Sequence, residues 1–264
     1  MYIKKTWTAG RTVEVKKTYS ARFGKKLPRA GNILETSKAQ ERVNRQNAID
    51  ELRRILNENF KPGDWHAVFT YPQEVPPTKQ QAKDALRLFL RRLRRVYRER
   101  LSELKYVHVT EYENKRIHHH FVLPNLPCGM RPVKRLWKAV VAELFYTVTE
   151  RERGEPLHLR FPWSPLDDSG QYGALAEYLI KETDKTRKTS DAFSKRRYCC
   201  SKNIVHPKPK IELISAKEWR KDPPERKGHY IDKRESFNAT SEENGLPMQT
   251  TIYVQVVNTV KMRN

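Results

Sequence analysis

Three consecutive histidines, His118, His119 and His120, stand in the stretch "EYENKRIHHHFVL" (111–123), in a chain with only eight histidines. Apolar and polar residues alternate over 105–112 and again over 116–123, which predicts two β-strands joined by a tight turn at "EN-K". With Asn114 and Lys115 as the two turn residues, Glu113 faces Arg116, Tyr112 faces Ile117 and Glu111 faces His118. Side chains alternate across a strand, so His118, His120 and Glu111 share one face. His119 falls on the other face with Ile117, Phe121 and Leu123, where packing and a cross-strand hydrogen bond to Thr110 account for it. Two imidazoles and a carboxylate on one side suit a divalent cation such as Mn²⁺ or Mg²⁺, with positions left for water and substrate oxygens. The plainer reading of a His-x-His pair is two surface residues on a half-exposed sheet. The facing Glu111 and the positive charge of the chain favour the ligand reading, and Glu113, of the same parity, is the alternative carboxylate.

A second group lies in "AEYLIKETDK" (176–185), where the pattern is helical. Tyr178 and Lys181, three apart, share a face, and Lys185 follows one turn later. A phenol on a helix over a metal site can attack a phosphate, and a neighbouring lysine can hold that phosphate. Tyr172 falls instead with Leu175 and Leu179 and reads as packing. Tyr-x-x-Lys alone is a weak signal among 12 tyrosines; its place after the fourth core strand gives it weight.

The partner that such chemistry needs is implied by charge. Lys and Arg number 53 against 31 Asp and Glu, a formal +22 with a pI near 10.0. That surplus calls for a polyanion, and the basic runs "LRRLRRVYRER", "KETDKTRK", "SKRRY" and "HPKPK" point to nucleic acid. Candidate DNA contacts are Arg91, Arg94, Arg95, Lys185, Arg187, Lys188, Lys195, Arg196 and Arg197. No basic run sits beside an exposed apolar helix face, and no stretch approaches the ~18 apolar residues of a membrane helix. The first residues lack the apolar run of a secretory signal, and Cys128, Cys199 and Cys200 form neither a disulfide framework nor a zinc-finger spacing. A cytoplasmic setting is expected.

The elements that must position these residues follow from periodicity. Residues 1–62 read as a β-hairpin around "GR" and a polar helix with Ile49, Leu52, Ile55 and Leu56 as its stripe. A strand at 65–72 leads to a helix opened by a Thr78–Gln81 capping box and striped by Ala82, Leu86, Phe89, Leu90, Leu93, Val96 and Tyr97. The two histidine-bearing strands follow. A helix with Val133, Leu136, Trp137, Val140, Val141 and Leu144 on one face comes next, then a short strand "LHLRF" (157–161) and the helix 169–185. The class is α+β: an antiparallel sheet in the split βαβ order, spanning 63–185, with the tyrosine helix over the active-site face. Residues 186–264 form a basic extension with a late strand at 249–257.

On these residues, "TEYENKRIHHHFVL" followed by "AEYLIKE" resembles the HUH endonucleases, in particular the single-tyrosine rolling-circle replication initiators of small plasmids and single-stranded DNA phages. "VFTY" (68–71) is similar to that family's first motif. The resemblance covers about half of the chain, and the family's aliphatic middle residue is here His119. It implies that Glu111, His118 and His120 hold a divalent metal, that Tyr178 is the nucleophile and that Lys181 assists it. It further implies nicking of single-stranded or hairpin origin DNA through a 5′-phosphotyrosine link. A single-tyrosine transposase with the same site, or a catalytically silent DNA-binding protein on the same sheet, are the alternatives. No G-x-x-x-x-G-K-[ST] occurs, so unwinding is expected from a host helicase acting with the host replication machinery.

Overall fold

The structure is a computed structural model, which describes residues 1–20, 23, 38–73, 76–113, 116–145, 159–184, 187, 192–215, 222–240 and 245–257. In chain order the elements are β1 (Tyr2–Ala9), β2 (Thr12–Tyr19), α1 (Lys38–Asn59), β3 (Trp65–Phe69), α2 (Lys79–Arg98), β4 (Val107–Glu113), β5 (Arg116–Leu123), α3 (Arg131–Phe145), β6 (Trp163–Pro165), α4 (Gly173–Asp184), β7 (Cys199–Cys200), β8 (Lys210–Ile214), β9 (His229–Ile231), β10 (Phe237–Thr240) and β11 (Pro247–Gln255). They form two compact units. One comprises Met1–Glu58, Ser169–Gly173 and Val205–Asn264, the other Asn59–Asp168 and Ala174–Ile204. Among the described residues no helix is long and apolar enough to cross a membrane.

In the first unit, β1 and β2 pair as the hairpin expected around Gly10 and Arg11. An isolated hairpin has two open edges and is marginal in water. Here β8 pairs with β1 and β11 with β2, so the segments read as separate N- and C-terminal extensions build one six-stranded antiparallel sheet. α1 buries the stripe Ile49, Leu52, Ile55 and Leu56. Its Arg53, nearly fully buried, bonds Glu14 at 2.8 Å and Glu235 at 3.1 Å. A lone buried guanidinium would be very unfavourable, and these carboxylates offset that desolvation.

The second unit is built on a five-stranded antiparallel sheet in the order β6-β3-β5-β4-β7. α2 starts at Thr78, whose hydroxyl accepts from Gln81 N–H while the Gln81 side chain accepts from Thr78 N–H, the expected capping box. Phe89 of α2 and Trp137 of α3 pack on Phe69 and Phe121 with ring centroids 4.8 to 5.9 Å apart, and this aromatic group is the centre of the core. Phe69 and Phe121 lie on the sheet face that α2 and α3 cover; His66, Val68, His118 and His120 alternate with them onto the other.

Three sequence expectations shift. The fourth strand is Trp163–Pro165, not 157–161: Leu159 to Phe161 are not strand, and residues 157 and 158 lie outside the described residues. Trp163 decides the register by donating its indole N–H to Val68 O at 3.1 Å and stacking edge-on to Phe69, and Pro165 is tolerated because β6 is an edge strand. The last helix starts at Gly173, not 169. Ser169 and Gln171 form a turn closed by Gln171 N–H donating to Ser169 Oγ, which leaves Tyr172 buried just before the helix rather than on it. Leu144, read as part of the α3 core stripe, is 40% exposed, because the buried face of α3 ends at Val141.

Gly10 has φ +52, and a Cβ there would lie 2.0 Å from the backbone oxygen of Asn57. Gly228, also at positive φ (+72), has nothing within 4 Å of its Cβ position. Gly228→Ala should therefore cost only the left-handed backbone penalty, about 1–2 kcal/mol. Gly10→Ala should cost clearly more than that, and urea denaturation of the two variants compares them.

Candidate active site

The register of the β4–β5 hairpin is the one that a two-residue turn requires: Glu113 pairs with Arg116, Tyr112 with Ile117, Glu111 with His118 and Thr110 with His119. The turn residues Asn114 and Lys115 themselves lie outside the described residues. Glu111 Oε2 is 3.1 Å from His120 Nε2 and 3.9 Å from His118 Nδ1. The first distance is a hydrogen bond and the second is too long for one. His118 and His120 together hold the Glu111 carboxyl well below the usual carboxylate range, against the opposing effect of its partial burial. His120 is buried, and His118 stands at the rim with 35% of its side chain exposed.

These donors can be tested against a cation. Two ligand atoms about 2.1 Å from one ion and at right angles to each other are about 3 Å apart. Glu111 Oε2 and His120 Nε2 have that spacing, and His118 stands somewhat wide of it. Among the described residues no three His, Cys, Asp or Glu side chains are grouped tightly enough to form a ready metal cage. The donor chemistry, one carboxylate and two imidazoles, fits a divalent cation, and the exposed His118 is the member with room to close on it.

Two further residues join the group that the sequence reading did not single out. Glu182 of α4, buried, hydrogen-bonds the Glu111 side chain. His66 of β3 stacks on His120, ring centroids 5.5 Å apart and planes 14° from parallel, with its Nε2 3.3 Å from His120 Nδ1. Burial, and then the neighbouring His120, lower the His66 pKa to about 4. The signal for His66 was available only through the β3–β5 pairing, in which His66 faces Val122 and shares parity with His120.

Tyr178 presents the edge of its ring to the same two histidines, 5.5 Å from His120 and 6.0 Å from His66, and is 40% exposed. Lys181, exposed, follows on the next turn of α4. The helix owes this placement to the burial of Ala176, Leu179 and Ile180 on its other side. Tyr172 is 3% exposed and Tyr178 is not, so packing and accessibility separate the two phenols as the spacing predicts.

The basic residues are distributed differently. Arg91, Arg94 and Arg95 are exposed on α2, which covers the sheet face opposite the histidines, so they are not brought to this group. Arg187 and Arg197 converge on Asp184, at 3.4 and 2.9 Å, near the end of α4. Lys195 and Arg196 are exposed in the segment beyond, and Lys185 and Lys188 lie outside the described residues.

His119 has the structural role expected of it. Its buried ring takes Thr110 Oγ1 at Nδ1 (2.8 Å) and the Tyr71 hydroxyl at Nε2 (2.9 Å). His108 also faces the core, stacked 5.0 Å from Phe121, and burial lowers its pKa to about 4. An unfolded histidine titrates near ~6.5, so between that pH and ~4 the unfolded chain binds more protons than the folded one. Stability conferred by a neutral His108 is thus complete above pH ~6.5 and is lost as pH falls toward 4, by at most about 3 kcal/mol at ~1.4 kcal/mol per unit. His108→Phe should flatten that acid limb, which urea titrations at several pH values would read.

Residues 64–187, just under half of the chain, match the model of a family described as Replication-associated protein ORF2. No curated protein and no solved structure matches the chain.

Proposed function

Since residues 64–187 belong to this replication-associated protein family, a family of rolling-circle replication initiators, we propose that this protein starts replication by nicking single-stranded origin DNA with Tyr178. The observation that carries the proposal is the gathering of Glu111, His118, His120 and Tyr178 on one face of the sheet. Glu111, His118 and His120 would hold a Mg²⁺ or Mn²⁺ ion, which supplies Lewis-acid polarisation of a phosphate oxygen. Tyr178 stands over that site, exposed enough for a DNA strand to reach its hydroxyl. Its oxygen attacks phosphorus, the P–O bond to the 3′ oxygen breaks, and the phenol proton is matched by the one that the leaving 3′-hydroxyl takes up. The product is a 5′-phosphotyrosine and a free 3′-hydroxyl, and attack by a later 3′-hydroxyl reverses the link to rejoin strands. Lys181 steadies the phosphate charge from the next helical turn.

The transposase reading uses the same chemistry, and the family match favours replication over it. A silent DNA-binding protein would not need an accessible phenol against two histidine rings. The formal +22 supplies long-range attraction for DNA, so origin affinity should fall steeply as salt rises.

Labelled single-stranded origin DNA incubated with Mn²⁺ and run on a denaturing gel should yield a nicked strand and a slower covalent adduct. Tyr178→Phe removes one oxygen and should abolish both, a loss of more than ~10³-fold, with DNA binding retained. Tyr172→Phe should cleave like the parent. A covalent adduct in Tyr178→Phe would assign the nucleophile elsewhere.

A further inference from the structure

We infer that His66 is a positioning residue for His120: by accepting a proton from its Nδ1 it directs the Nε2 lone pair of His120 to the metal. The inference rests on the reading of Glu111, His118 and His120 as ligands. His120 is buried and has a partner at each ring nitrogen, Glu111 Oε2 at 3.1 Å from Nε2 and His66 Nε2 at 3.3 Å from Nδ1. The two partners differ in kind. A carboxylate can only accept, whereas a neutral imidazole nitrogen can accept or donate depending on its tautomer.

That difference permits two arrangements with the same heavy-atom positions. Without a cation, His120 donates Nε2–H to Glu111 and its Nδ1 accepts from Nε2–H of His66. A cation at Nε2 requires a lone pair there, so the His120 proton must sit on Nδ1. His66 then accepts it at Nε2 and carries its own proton on Nδ1. Both rings remain neutral in either arrangement; protons are relocated and none is gained or lost overall. A side chain at position 66 that cannot accept would leave the Nδ1–H of a buried ring unsatisfied in the loaded state alone, which weakens the metal complex rather than the fold.

The near-parallel stacking of the rings and their common contact with Tyr178 make a second, purely steric role conceivable, and two substitutions separate the roles. His66→Phe keeps a ring and loses the acceptor. His66→Gln loses the ring and keeps an acceptor. Mn²⁺ affinity of the full chain, measured by electron paramagnetic resonance without DNA, should fall 10–100-fold in His66→Phe and recover to within several-fold in His66→Gln. At saturating Mn²⁺ the nicking rate of His66→Phe should return toward that of the parent. Nitrogen NMR of the Mg²⁺-loaded parent should show His120 protonated at Nδ1.

Parent-like Mn²⁺ affinity in His66→Phe would overturn the inference, as would an Nε2-protonated His120 in the loaded protein. Affinity lost equally in His66→Gln would reassign His66 to packing. If His66→Phe melts well below the parent, His66→Met replaces it as the variant without a nitrogen acceptor. Failure of the parent itself to bind Mn²⁺ would instead remove the ligand reading, a result distinct from any of these because it needs no variant.

Discussion

The hairpin register between β4 and β5 is the constraint on which the site depends. Glu111 faces His118 because a two-residue turn places Glu113 opposite Arg116. A slip of one residue would turn every side chain of one strand to the other face, placing His119 with the carboxylate and His118 and His120 in the aromatic core. The slip is opposed from the core side. Phe121 must remain against Phe69 and Phe89, and His119 must remain between Tyr71 and Thr110. Packing on one face thus sets the geometry on the other, which is how a few polar side chains are held in place without a network of their own.

The same division explains why three neighbouring imidazoles behave differently. His119, sealed in the core, is held neutral by burial and by the adjacent histidines, and both its nitrogens are used by Tyr71 and Thr110. His120 is equally buried but aims Nε2 at a carboxylate, and His118 stands at the rim. Chemistry is available only where a ring nitrogen meets a group that a cation could displace. The triplet is one structural histidine between two that are open to function, and the alternation of a strand is sufficient to sort them.

How far this could be read from the sequence varies with the range of the interaction. The Glu111–His118 pairing, the Thr78–Gln81 cap, the stripe of α1 and the contrast between Tyr172 and Tyr178 rest on residues close in the chain, and local rules reach them. His66 and Glu182 were not legible, because their proximity to Glu111 and His120 depends on pairings and packing between segments about fifty to seventy residues apart. The fourth strand was misplaced for a related reason. "LHLRF" and the segment around Trp163 are both short, and the choice was made by an indole reaching Val68 across the sheet. The joining of the chain ends in one sheet was invisible too, since β2 reads the same whether or not β11 pairs with it.

Charge and site divide the work of handling a polyanion. The surplus of 53 cationic over 31 anionic side chains acts at long range and needs no particular geometry. At the site the balance is different: His66 is neutral at ordinary pH, Glu111 is ionised, and Arg187 and Arg197 are engaged with Asp184. A phosphate brought by the general field would meet the Glu111 carboxylate and be repelled by it. On the proposed reading a divalent cation between the two reverses the sign of that contact, so that the carboxylate which would exclude the substrate becomes the means of holding it. The low pKa of Glu111 then has a use beyond pairing with histidines, because it keeps the cation's anionic ligand charged wherever the fold itself persists.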